Sequence, residues 1–159
     1  MGVDAARWTF GSRGANLDID FDIELAKRQS AENPVYYVQY AHARIASILR
    51  VAAERGLGLG TVTPALLAGS HDAPDAALAR VVVRLPEVVE DAAAAQETQG
   101  ITAYATELAT AFHAYYRDAR VVDAAAPERS AERLALVLAA KVTLANALGL
   151  LGISAPESM

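Results

Sequence analysis

No stretch narrows the fold of this chain more than Asn33 to Arg50, NPVYYVQYAHARIASILR. Asn33 and Pro34 read as a helix start, because proline at the first helical position needs no amide donor. Neither glycine nor proline then interrupts the chain until Gly56. Val38, Ala41, Ile45, Ile48, Leu49 and Ala52 recur at helical spacing and predict one long amphipathic helix to about Arg55. At about 100° per residue, with Tyr37 at zero, Tyr40 falls near ~300° and Arg44 near ~340°. Two phenol rings and a guanidinium therefore share one edge beside the apolar stripe, with Tyr36 next to them. Gln39 and Arg50 fall opposite, toward solvent. Rings of this kind stack on unpaired bases, and a guanidinium holds a phosphate or stacks as well.

The rest of the chain also reads as helices. Alanine is abundant, and strand formers occur only in short runs such as Val81-Val82-Val83, which favours an all-α domain. Asp4 to Phe10 reads as a short helix. Asp20 is placed to cap another from about Phe21 to Ala31, and later helices are expected over 74–85, 86–96, 101–120 and from 127 or 130 to 148. The glycines at 56, 58 and 60 read as a connection, since they lack the lysine and spacing of a phosphate-binding loop. In the 101–120 helix the stripe is Tyr104, Leu108, Ala111, Phe112, Tyr115 and Ala119. Tyr116 sits at its edge, and Arg120 comes one turn later, further out. The last helix is apolar on most sides and is expected to be central, with Gly149 and Gly152 ending it.

With 159 residues there is enough chain for one real core. The absence of cysteine excludes a disulfide framework and thiolate metal sites. No apolar run is expected to reach membrane-span length, and no signal-peptide pattern opens the chain. A net charge of −5 argues against a broad phosphate-binding surface, so any nucleic-acid contact must be local. His42, at the border of the apolar stripe, reads as a packed histidine bonded to a helix neighbour. His71 and His113 are isolated, and three scattered histidines without an i, i+4 pair do not make a metal site. Counted from Asp18, a calcium loop would need glycine and glutamate where Ile23 and Gln29 stand, so Asp18, Asp20, Asp22 and Glu24 read as helix-start charge.

NPVYYVQYAHAR resembles the start of the all-helical anticodon-binding domain, of the DALR type, in arginyl-tRNA synthetases. ERLALVLAAKVTLANALGLLGISAPESM is similar to that domain's last helix and its terminal methionine. GVDAARW and DFDIELAKRQ are similar to the segment just after the catalytic core in bacterial members. The resemblance covers nearly the whole chain and implies a bundle of about five or six helices. Residues 1–31 would be the end of the catalytic domain and a linker, and 32–159 the anticodon-binding domain. It also implies a cytoplasmic enzyme that joins arginine to its tRNA with ATP and magnesium, with no membrane or DNA partner. The HIGH and KMSK signatures of this synthetase class are absent from these residues. This stretch is therefore expected to bind no cofactor, to be inactive alone, and to partner the rest of the enzyme and the anticodon loop of arginine tRNA.

The tRNA-binding residues so implied are Tyr37, Tyr40, Arg44, Tyr116, Arg120 and Met159. Stacking tolerates any base, so a preference for the middle cytosine of arginine anticodons requires base-edge donors that sequence does not locate. The terminal methionine would fold back near the RNA site, although the arginine that commonly precedes it is Ser158 here. Tyrosines at a helix edge also serve as core aromatics, and a lone arginine usually ends in a surface ion pair. The alternatives left open are a helical protein-interaction module without an RNA role, and the corresponding domain of another synthetase such as the cysteinyl or glycyl type.

Overall fold

Pro34 and Gly56 bracket the longest uninterrupted helical pattern, and in the computed structural model a 21-residue helix fills that interval. The structure describes residues 2–14, 16–18, 22–67 and 73–159. The expected Asp20 cap, the helix start at Phe21 and His71 lie outside them. Among the described residues the elements are α1 (Val3–Gly11), α2 (Ile23–Lys27), α3 (Pro34–Glu54), α4 (Pro64–Leu67), α5 (Pro74–Val82), α6 (Leu85–Ala95), α7 (Gln99–Asp118) and α8 (Pro127–Leu150). The all-α expectation holds. The helices are more numerous than five or six because α2 and α4 are single short turns.

The helix ends reflect local chemistry. Gly56 takes a left-handed φ of 72°, and the Leu57 amide closes back on the Ala52 carbonyl at 3.0 Å, a glycine-terminated helix end. Asp22, rather than a residue further upstream, caps α2 by accepting the Leu25 amide at 2.9 Å. Asn33 precedes α3 as expected but makes no cap bond. Its buried amide instead donates to the Arg28 carbonyl at 2.9 Å, fastening the approach to α3. Gly149 stays within α8, and the turn comes at Gly152, with φ 66°.

Helices α3, α7 and α8 pack on one another, and α5 packs on α7 and α8. Their apolar faces meet in a core where Ile45, Leu108, Phe112, Leu134 and Leu144 are fully buried. By length and composition α8 is apolar enough to cross a membrane, which corrects the reading that no segment reaches that length. Leu134, Val137, Leu144 and Leu148 on it are buried against the bundle, the position expected of a core helix.

One buried carboxylate ties three helices together. Asp75, at the start of α5, is 1 % exposed. It accepts the Tyr115 hydroxyl at 2.8 Å, the Arg129 guanidinium at 3.0 Å and two nitrogens of Arg133 at 3.1 and 3.2 Å. Burial, with the Asp75 bond next, holds the Tyr115 hydroxyl well above its ordinary titration range. Tyr104 does related work at the other end of α5, where its hydroxyl donates to the Val81 carbonyl at 2.9 Å, which also accepts the Arg84 amide at 3.2 Å. Burial pushes that phenol up to about 12.

Candidate nucleic-acid interface

Packing α3 beside α7 places the edge carrying Tyr37, Tyr40 and Arg44 next to the edge carrying His113 and Tyr116. The Arg44 guanidinium stands 4.5 Å from the Tyr116 ring centre and 5.9 Å from that of Tyr40, within reach of cation–π attraction. Tyr40 and Tyr116 remain 39 % and 38 % exposed. Tyr36 lies parallel to Tyr40, with centroids 6.4 Å apart and planes 6° apart. Tyr37 is half-buried. It tilts against the His113 ring at 5.0 Å, and its hydroxyl donates to Thr110 Oγ1 at 3.4 Å, the long end of a hydrogen bond. The two exposed rings are thus Tyr40 and Tyr116, and Tyr37 shares the His113 ring with Tyr40.

The other five residues expected at the site line hollows shared with Arg44. Tyr37, Tyr40 and Tyr116 line one hollow with it, of about 490 Å³. Arg120 lines the adjoining groove, and Met159 lines a third hollow beside Tyr40 and Arg44. Arg120 gets there by a route the helical spacing did not foresee. Helix α7 ends at Asp118, and Ala119 is extended, at φ −115° and ψ 128°. Ala119 and Val121 then bury alternate side chains, which pulls the chain out of the helix and turns Arg120 outward. Arg133 Nη1 donates to the Arg120 carbonyl at 3.0 Å, holding that turn to the Asp75 cluster.

The tail is strapped onto α3 by residues read differently from the sequence. Gln39 is buried rather than solvent-facing, and its amide donates to Asp4 Oδ2 at 2.8 Å and to the Ser154 carbonyl at 3.0 Å. His42 Nδ1 pairs with the Pro156 carbonyl at 2.8 Å, not with a neighbour on its own helix. Lys141 pairs with Glu157 at 2.6 Å, and Arg7 donates to the Gly152 carbonyl.

His113 is the site residue that sequence reasoning passed over. It lies between Tyr37 and Tyr40, and its buried Nε2 has no hydrogen-bond partner. Burial first, then the Arg44 guanidinium, hold its imidazole below the ordinary 6.5, so the ring is neutral at pH 7. Its spacing of three residues from Tyr116 was the available signal, since i and i+3 share a helix face.

The arrangement offers two exposed rings, a cation between them and open grooves on either side, which is chemistry for stacking on a flat, anionic strand. The family profile of the DALR anticodon binding domain matches residues 38–159. This chain belongs to that family. It is 48 % identical over its full length to the arginine–tRNA ligase of Dehalococcoides mccartyi, covering 28 % of that protein. Against the arginine–tRNA ligase of Acidithiobacillus ferrooxidans it is 47 % identical, again over the full chain, and covers 27 % of the relative. Its fold superimposes on Thermus thermophilus arginyl-tRNA synthetase with a TM-score of 0.77 and 35 % identity, over 98 % of this chain and 26 % of that one. The chain therefore spans less than a third of the length of these relatives. Among the described residues no three His, Asp or Glu side chains cluster as a metal site.

Proposed function

We propose that this chain reads the anticodon loop of arginine tRNA, as the anticodon-binding part of an arginine–tRNA ligase that attaches arginine using ATP and magnesium in the cytoplasm. The observation that carries the reading is Arg44 held between the exposed rings of Tyr40 and Tyr116. Bases splayed from the loop stack on those rings, and Arg44 pairs with backbone phosphate or a base edge. Met159 closes one side. In this reading residues 1–31 join the anticodon-binding part, 32–159, to the catalytic domain. The exposed Val3, Phe10, Leu17 and Ile23 all fall in this segment and supply apolar side chains for that joint.

The test is binding of an arginine-tRNA anticodon stem-loop at low salt, beside the same RNA with its middle cytosine replaced. Each base–aromatic stack is worth about 1–3 kcal/mol, so Tyr40→Ala and Tyr116→Ala are each expected to weaken binding about 5- to 150-fold. A preference for cytosine should accompany this. Binding that ignores the base and survives both substitutions would overturn the reading.

A further inference from the structure

The platform opens at one side into a groove of about 570 Å³ between the second half of α3 and the extended residues after α7. Ile48, Val51 and Val122 give it an apolar wall, and Arg44, Arg55 and Arg120 supply its cations. Among the described residues no carboxylate lines it. Among them, too, Arg44 and Arg55 make no ion pair, and Arg120 reaches only Asp123, at 3.8 Å. The chain carries 19 acidic against 14 basic residues, so a groove lined by three guanidinia, with Asp123 reaching only Arg120, departs locally from the sign of the whole chain. Eleven positions separate Arg44 from Arg55, which places them within about 20° on one helix face and about 16 Å apart along it. That separation is too long for one phosphate and suits a strand running down the helix. Tyr40, Arg44 and Tyr116 line both this groove and the platform, so the two form one continuous track.

We propose that this groove is a second RNA subsite, taking the phosphodiester strand that leaves the base stacked on the platform. Arg55 and Arg120 hold its phosphates, and the apolar wall takes the ribose and base face. The proposal rests on the platform's binding of single-stranded RNA. Phosphate contacts position a strand without reading its sequence, so the subsite adds affinity and salt sensitivity but not base preference. The hydrogen bond from Arg133 to the Arg120 carbonyl makes Arg133 a positioning residue for the groove's outer rim.

The experiment is binding of the anticodon stem-loop RNA to this chain across a salt series, for the parent, Arg55→Gln, Arg120→Gln, Arg55→Lys and Tyr40→Ala. Both arginines are exposed, and a matched melting midpoint confirms that each variant is folded. Loss of one phosphate contact is expected to make the slope of log K against log salt shallower by about 0.7. Arg55→Gln and Arg120→Gln should show this, with an unchanged ratio of affinities for cytosine and its replacement. Arg55→Lys should keep the parental slope, and Tyr40→Ala should lose affinity at the parental slope. Parental affinity and slope in both glutamine variants, with Tyr40→Ala weakened, overturn the subsite and leave the platform standing. An altered base preference in either glutamine variant also overturns it. No binding by the parent chain overturns platform and subsite together.

Discussion

Arg44 and His113 constrain each other. The ring is partly buried beside a guanidinium that has no carboxylate partner among the described residues, so protonating it adds a second cation to a confined space. Tyr37, Tyr40 and Phe112 are the rings packed on it, and none supplies a compensating negative charge at neutral pH. Because the folded imidazole titrates below 6.5, the unfolded chain binds the proton first on acidification. This group's contribution is then harmless above about pH 6.5 and costs stability as pH falls through that value toward the folded one. His113→Phe should therefore flatten the acid side of the stability profile. The comparison is melting midpoint between pH 7.5 and 5 for parent and variant, and identical pH slopes would refute the assignment. Arg44→Gln should raise the imidazole pKa, read by NMR titration of the ring protons, and no upward movement would show that the guanidinium does not act on the ring.

Between elements, two buried polar contacts do what apolar packing alone cannot. Asp75 joins α5, α7 and α8 through one hydroxyl and two guanidinia, so Asp75→Ala strands a phenol and the half-buried end of Arg133 together. Breaking a buried pair costs about 3–5 kcal/mol. The low end, about 3, is expected because Arg129 reaches solvent. Urea denaturation measures it, and a loss below about 1 kcal/mol would mean that water replaces the carboxylate. Tyr104→Phe removes a single donor to the end of α5 and is expected to cost about 1 kcal/mol; no change in the denaturation midpoint would show those carbonyls finding water instead. Most of this level was legible beforehand. Most of the stripe residues on α3 and α7 are buried where helical periodicity placed them, Leu49 and Ala111 only partly, because close packing rewards that periodicity directly. The Asp75 cluster was not legible, since the partners of Asp75 lie 40 to 58 positions from it and no local rule pairs them. The end of α7 was missed for a related reason. No glycine or proline stops it, and burial of Ala119 and Val121 does.

At the scale of the molecule, the first and last segments meet on α3. Asp4, near the start, accepts from Gln39 and from the Ser154 amide at 3.3 Å, so one carboxylate holds α1, the middle of α3 and the tail. Helical phase sent Gln39 to solvent because phase describes one helix alone. The tail, which covers that face, comes more than a hundred residues later. The same blindness hid how Met159 reaches the rings, although its arrival there was expected from the family. The Gln39 amide is one of several contacts that order the tail, beside His42, Arg7 and Lys141. Gln39→Leu keeps a comparable volume but removes the donors to Asp4 and Ser154. The expected cost is about 1 kcal/mol for the lost hydrogen bonds, because Ser154 is exposed and Asp4 keeps the Ser154 donors, with faster hydrogen exchange confined to 153–159 and no change in α7. His42 still grips the Pro156 carbonyl, so the tail should loosen without being released. If Met159 closes the platform as proposed, the same substitution weakens RNA binding with base preference intact, whereas Tyr40→Ala weakens it through lost stacking while exchange in the tail stays parental. Parental exchange in 153–159 of Gln39→Leu would show that the tail is held by Ile153 burial and the Lys141–Glu157 pair, and that α1 and the platform are not linked through this carboxylate.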